Sequence, residues 1–113
     1  MSAITHLFAG VPVSDLDAAI DWYTRLFGSL PTVRVGDEVL WDIDEHATLF
    51  IEPNPAHAGS GRITLGVTGL NALLERCGLD HEPVETYSAG ERHVKIPDPD
   101  GNAIAFVEMP SES

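Results

Sequence analysis

The chain repeats itself. Val13-Ser14-Asp15-Leu16-Asp17-Ala18 lies over Val67-Thr68-Gly69-Leu70-Asn71-Ala72 at an offset of 54 positions. Later, Val39-Leu40-Trp41-Asp42-Ile43-Asp44 lies over Lys95-Ile96-Pro97-Asp98-Pro99-Asp100. That register, an offset of 56, runs on to Phe50-Ile51-Glu52 over Phe106-Val107-Glu108. Few of these residues are identical. What recurs is the order of elements and their caps, which is the mark of a duplicated supersecondary unit. A chain of 113 residues then holds two small units, neither of which can bury a core alone.

Each unit reads as strand, helix and three strands. Ile4 to Val13 is apolar without helical period and reads as a strand. Ser14 to Asp17 reads as a helix start. Leu16, Ala19, Ile20, Tyr23, Leu26 and Phe27 then form one helical face, closed by Gly28. Strands are expected at Pro31–Val35, Glu38–Ile43 and Ala47–Glu52. Asn54–Gly61, NPAHAGSG, is the linker. The second unit has a strand at Arg62–Val67 and a helix faced by Leu70, Leu73, Leu74 and Cys77. Strands near Glu82–Tyr87, Arg92–Ile96 and Ala103–Glu108 follow, then a polar tail at 111–113. We expect one α+β domain over residues 1–113: two βαβββ modules, 1–53 and 62–110, joined by 54–61. They form a curved mixed sheet around a cleft, with the helices outside.

Composition narrows the function. Asp plus Glu number 18 against 6 Lys plus Arg, a net charge of -12. Such a surface repels phosphate backbones and anionic lipid, so neither nucleic acid nor membrane is an expected partner. No apolar run is long enough to span a bilayer and no secretory signal is visible. Cys77 is the only cysteine, so no intrachain disulfide forms, which points to a cytoplasmic protein. Its place on the apolar helix face suits a buried, inert thiol. There is no serine-nucleophile motif, glycine-rich phosphate loop or zinc-ribbon spacing, and Gly59-Ser60-Gly61 reads as flexible linker.

The segment VPVSDLDAAIDWYTRLFG resembles the first strand-to-helix passage of the vicinal oxygen chelate superfamily. This superfamily includes glyoxalase I, bleomycin-resistance proteins, fosfomycin-resistance enzymes and extradiol dioxygenases. The matching residues are Val13, Asp15, Leu16, Trp22-Tyr23 and Leu26-Phe27-Gly28. Asp98-Pro99-Asp100-Gly101-Asn102 is similar to the family's turn into its last strand. The resemblance implies a cleft in which His and Glu side chains hold a divalent metal, from the first and last strand of each unit. Seven residues before Asp15 stands Phe8, and the repeat puts its partner position at Arg62. Four residues after the turn glycine stands Ala105, with its counterpart near Leu49. None of these side chains ligates a divalent metal. The resemblance therefore implies the bleomycin-resistance-like branch, which binds a ligand in the cleft without metal or chemistry. It also implies a homodimer, and a short chain with open sheet edges suits one.

Five histidines are present. His46, His57 and His81 fall in turns and read as surface residues. By strand alternation His6 shares a face with Phe8, and His93 shares one with Lys95. A metal-dependent lyase or dioxygenase is the alternative function, with non-standard ligands such as His6, His93 and Glu52. Arg62 in a cleft needs an anionic partner, either Glu52 or a bound carboxylate or phosphate; otherwise it lies at the strand's start and reaches water. Trp41, Phe8, Phe50 and Tyr87 are aromatic groups that stack planar ligands or fill the core. The expected ligand-binding set is Phe8, Trp41, Phe50, Arg62, Ala105, His6 and His93. The expected ligand is a small organic molecule, aromatic or anionic. No catalytic residue, metal or cofactor is expected.

Overall fold

A computed structural model describes residues 3–110, so the polar tail at 111–113 lies outside the described residues. The elements follow the duplicated order. The first module is β1 (Leu7–Val13), α1 (Leu16–Phe27), β2 (Val33–Val35), β3 (Glu38–Asp44) and β4 (Ala47–Pro53). The second is β5 (Arg62–Val67), α2 (Leu70–Cys77), β6 (Glu85–Thr86), β7 (Arg92–Lys95) and β8 (Ala103–Glu108). Each forms a four-stranded mixed sheet, in the orders β1-β4-β3-β2 and β5-β8-β7-β6. In both, the first strand runs parallel to the last, and the other pairings are antiparallel. The α+β class and the paired modules are as expected. No helix among the described residues is long and apolar enough to cross a membrane.

Strand alternation sorts the side chains. Val11 and Val13 of β1, Val39 and Trp41 of β3, and Leu49 and Ile51 of β4 are all at most 1% exposed. They face Ala19, Tyr23 and Leu26 on the apolar side of α1. The second module sends Val94, Ile96, Ile104 and Phe106 to meet Leu70 and Cys77 of α2. The buried side chains form one cluster spanning both modules. Neither half could bury this much alone.

The two helix starts are capped in different ways. Asp15, not Ser14, caps α1, its side chain accepting from the Ala18 N–H at 3.1 Å. Ser14 turns instead to the second module, where Asp100 accepts from both its backbone N–H and its hydroxyl. Gly69 heads α2 without a side chain, and Glu108 supplies the missing acceptor, taking the Leu70 N–H at 2.7 Å.

Candidate functional site: two open sheet faces

Each helix covers one face of its sheet and leaves the other open. On β1, β3 and β4 the open positions are the even ones, and on β2 they are Val33 and Val35, which pair with Leu40 and Glu38. Phe8 pairs with Thr48, Thr48 with Asp42, Gly10 with Phe50, and Phe50 with Leu40. Phe8 is 58% exposed, Val33 47% and Val35 61%. Beside Phe8, the His6 ring lies 4.4 Å away between centroids. His6 Nε2 is 2.8 Å from the Thr48 hydroxyl, which donates to Asp42 Oδ1 at 2.9 Å. Because that hydroxyl gives its proton to Asp42, it accepts from His6, so His6 carries its proton on Nε2. The outer end of the Phe50 ring lies over Gly10, where a Cβ would overlap it. Glycine is required there for close approach rather than for its backbone conformation.

The open face of the second sheet is different in kind. Arg62, Thr64, His93, Lys95, Ala103 and Ala105 line a pocket of about 260 Å³. Arg62 pairs with Ala103, while Thr64 and Lys95 flank Ala105. The Tyr87 ring stacks on His93 at 5.8 Å. A second, larger hollow of about 440 Å³ lies along the seam between modules, bounded by Leu7, Phe27, Trp41, Leu65, Leu73 and Phe106.

The seven expected residues thus divide. His6, Phe8 and Phe50 lie at the open face of the first sheet, and Arg62, His93 and Ala105 at that of the second. Trp41 lies on neither open face. It pairs with the core residue Leu49, is 1% exposed, and stacks on Phe27 at 5.7 Å. Its indole N–H donates to the Ser29 carbonyl at 3.1 Å. It belongs to the aromatic core and reaches only the seam hollow.

The repeat register is corrected too. With Val13 matched to Val67, the parallel pairs Val13–Pro53 and Val67–Glu108 set the β4-to-β8 offset at 55, not 56. Leu49 then corresponds to Ile104, both fully buried, and the counterpart of Ala105 is Phe50. The four positions expected to ligate metal are therefore Phe8, Phe50, Arg62 and Ala105. Their side chains do not fit a divalent cation. The alternative ligands do not converge. His6 bonds Thr48, whereas Glu52 stands four residues further along β4, about 13 Å at strand spacing, and His93 is on the other sheet. No group of three or more His, Cys, Asp or Glu among the described residues could hold a metal ion.

Arg62 and Glu52 do not pair. The one ion pair among the described residues joins Arg92 to Glu108 at 3.3 Å.

The sequence model of the glyoxalase/bleomycin resistance protein/dioxygenase superfamily matches residues 3–106. The chain belongs to this superfamily. A solved glyoxalase/bleomycin resistance protein from Catenulispora acidiphila is 42% identical, with a TM-score of 0.86 over 93% of this chain and 98% of that one. TnmS3, an antibiotic binding protein from Streptomyces sp. CB03234, is 25% identical, with a TM-score of 0.78 over 97% of this chain and 100% of that one. The bleomycin resistance determinant of transposon Tn5, at 18% identity, shares the fold with a TM-score of 0.77 over 94% and 98%. No curated protein matches the sequence.

The superfamily's DPDGN turn does more here than reverse the chain. Asn102, fully buried, accepts from the Gly59 and Gly61 N–H groups at 3.0 and 2.7 Å. It donates to the Pro12 carbonyl and to Asp98 Oδ2, both at 2.8 Å. Asp98 also accepts from the Tyr23 hydroxyl at 2.8 Å. The turn therefore bolts linker, β1 and α1 together and fixes how the open faces are set. Sequence reasoning reads it as a turn only. The Asp42–Thr48–His6 chain was also missed, although Asp42 and Thr48 flank a visible hairpin turn.

Proposed function

We propose that this superfamily member is a metal-independent binding protein for a small organic molecule, working as a cytoplasmic homodimer in which residues 1–53 and 62–110 act as one domain. The observation that supports it most is the set of side chains at the four ligand positions, Phe8, Phe50, Arg62 and Ala105. Two aromatic rings on the first sheet, and a guanidinium and a methyl group on the second, suit stacking and ion pairing rather than a cation. The likeness to an antibiotic binding protein supports a binding role of this kind. An aromatic face exposing Phe8, Val33 and Val35, and a separate basic face on the second sheet, suit a partner copy that sets one against the other. Burying such apolar residues between copies is favourable by about 25 cal/mol per Å².

A thermal-shift panel of aromatic, acidic, basic and neutral compounds tests the reading, because a ligand at a hundred times its Kd stabilises the fold by about 2.7 kcal/mol. No stabiliser across the panel overturns it. Near-stoichiometric metal in purified, dialysed protein overturns its metal-free part. Sedimentation showing only monomer at high protein concentration removes the dimer.

A further inference from the structure

The chain holds only six Lys and Arg against eighteen Asp and Glu. Four of those six cations are spoken for. Arg25 donates to the Cys77 and Gly78 carbonyls, and Arg76 to those of Arg25 and Leu26. Arg34 donates to the Gly36 carbonyl, and Arg92 to Glu108 and Asn71. The side chains of Arg62 and Lys95 have no hydrogen-bond or ion-pair partner among the described residues. These two, on different strands, line the same pocket.

Chance solvation of a polar face predicts a different picture. A chain with three acids for every base should scatter carboxylates around its free cations, yet no Asp or Glu lines this pocket. Glu85 pairs with His93 across β6 and β7, and the Glu82 N–H donates to the Lys95 carbonyl, yet neither acid is in the lining. The floor between the cations is Ala103 and Ala105, too small to fill the space. From strand spacing, the Arg62 and Lys95 backbones stand about 12 Å apart, a gap that two long side chains can close around one small group. Thr64 and His93 add hydrogen-bond donors at the same place.

Resting on the small-molecule reading, we infer that this pocket binds the anionic head of the ligand, a carboxylate or phosphate, with Arg62 and Lys95 as its counter-charges. A guanidinium meets such oxygens with a two-pronged fork, and an ammonium adds a point charge. The aromatic part of the ligand then extends beyond the alanine floor.

Three probes of matched shape test this on the full chain: 1-naphthoate, 1-naphthyl phosphate and 1-naphthamide, followed by calorimetry and by amide NMR shifts. The expected result is that at least one anion binds tenfold or more tightly than the amide. It should shift the amides of Thr64, Ala103 and Ala105, and it should weaken as salt rises. Which anion binds better decides between carboxylate and phosphate. Arg62→Gln and Lys95→Gln should each weaken that anion about tenfold without changing the melting temperature, since both side chains are exposed. Arg62→Lys should retain part of the binding. Equal binding of the amide on the same face, or anion binding that survives both glutamine variants, overturns the inference and leaves the small-molecule reading standing. Failure of all three probes overturns it too, whereas the small-molecule reading is decided by the wider panel.

Discussion

Arg25 and Arg76 cap each other's helices. The Arg76 guanidinium donates to the Arg25 and Leu26 carbonyls at the end of α1, at 3.1 and 2.8 Å. The Arg25 guanidinium donates to the Cys77 and Gly78 carbonyls at the end of α2, at 3.3 and 3.1 Å. The duplication of the chain thus reappears as a reciprocal clip, with each cation placed at the negative end of the other helix's dipole. Gly28 is needed twice, for its left-handed φ of 72° and because a Cβ there would overlap the Arg76 guanidinium. Arg25→Ala and Arg76→Ala should each destabilise by about 1–2 kcal/mol in chemical denaturation. Their effects should sum closely, because the two groups serve different carbonyls. A strongly non-additive double variant would show that the two ends do not act independently.

Tyr23 faces Asp98 in the same inter-module region, fully buried. Burial, then the neighbouring Asp98 charge, pushes its hydroxyl well above the ordinary tyrosine range. The consequence for stability has a definite sign. Above about pH 10 the unfolded chain releases this proton while the folded one keeps it, so unfolding is favoured as pH rises. Tyr23→Phe should cost about 1–3 kcal/mol at neutral pH, since Asp98 loses one buried donor. The gap between wild type and variant should then narrow by about 1.4 kcal/mol per pH unit above 10. Parallel alkaline unfolding curves for the two proteins would contradict this.

How much of this was readable depended on how far apart in sequence the partners lie. The duplicated units, both helix faces and both C-terminal glycines were legible, since each rests on local periodicity and caps. So was the step from Asp15 back to Phe8 and across to Arg62, because counting residues along a strand preserves which face they occupy. Trp41 lies on the face opposite Phe50. Its face follows from the β3–β4 pairing, which slips between Asp42 and Asp44, and no local signal announces that irregularity. The offset of 56 failed for a related reason: aligning Phe50 with Phe106 pairs two aromatics on opposite faces, whereas the sheets match Ile51 with Phe106. The bonds of Asn102 to Pro12, of Tyr23 to Asp98 and of Arg25 to Gly78 join segments at least 53 positions apart. Without an alignment of relatives, nothing in a single sequence couples such positions.

The hydrogen-bonded chain at the first open face sets a tautomer. Thr48 is 2% exposed and donates to Asp42, which leaves His6 Nε2 as the donor and Nδ1 free toward solvent. Long-range ¹H–¹⁵N spectra at a pH where His6 is neutral should show Nε2 protonated. Thr48→Val removes the bridge at nearly constant volume and should cost about 1–2 kcal/mol while releasing the tautomer preference. An Nδ1-protonated ring in wild type would mean that the threonine hydroxyl points to His6 rather than to Asp42.

Gly10 and Phe50 give the first open face its shape. They are paired across β1 and β4, and an added Cβ at Gly10 would lie 2.8 Å from Phe50 Cε2, below any normal contact. Gly10→Ala must therefore lift the half-exposed ring rather than compress the core on the far side of the strand. The expected cost is about 1 kcal/mol, at the low end for overpacking, because the ring has solvent to move into. Phe50→Ala loses the ring's packing but also removes the obstacle. The double variant should then be about as stable as Phe50→Ala alone, a coupling of about 1 kcal/mol in a double-mutant cycle. Additive losses would instead place the cost of the new methyl in the strand itself, with the Phe50 ring free to keep its position.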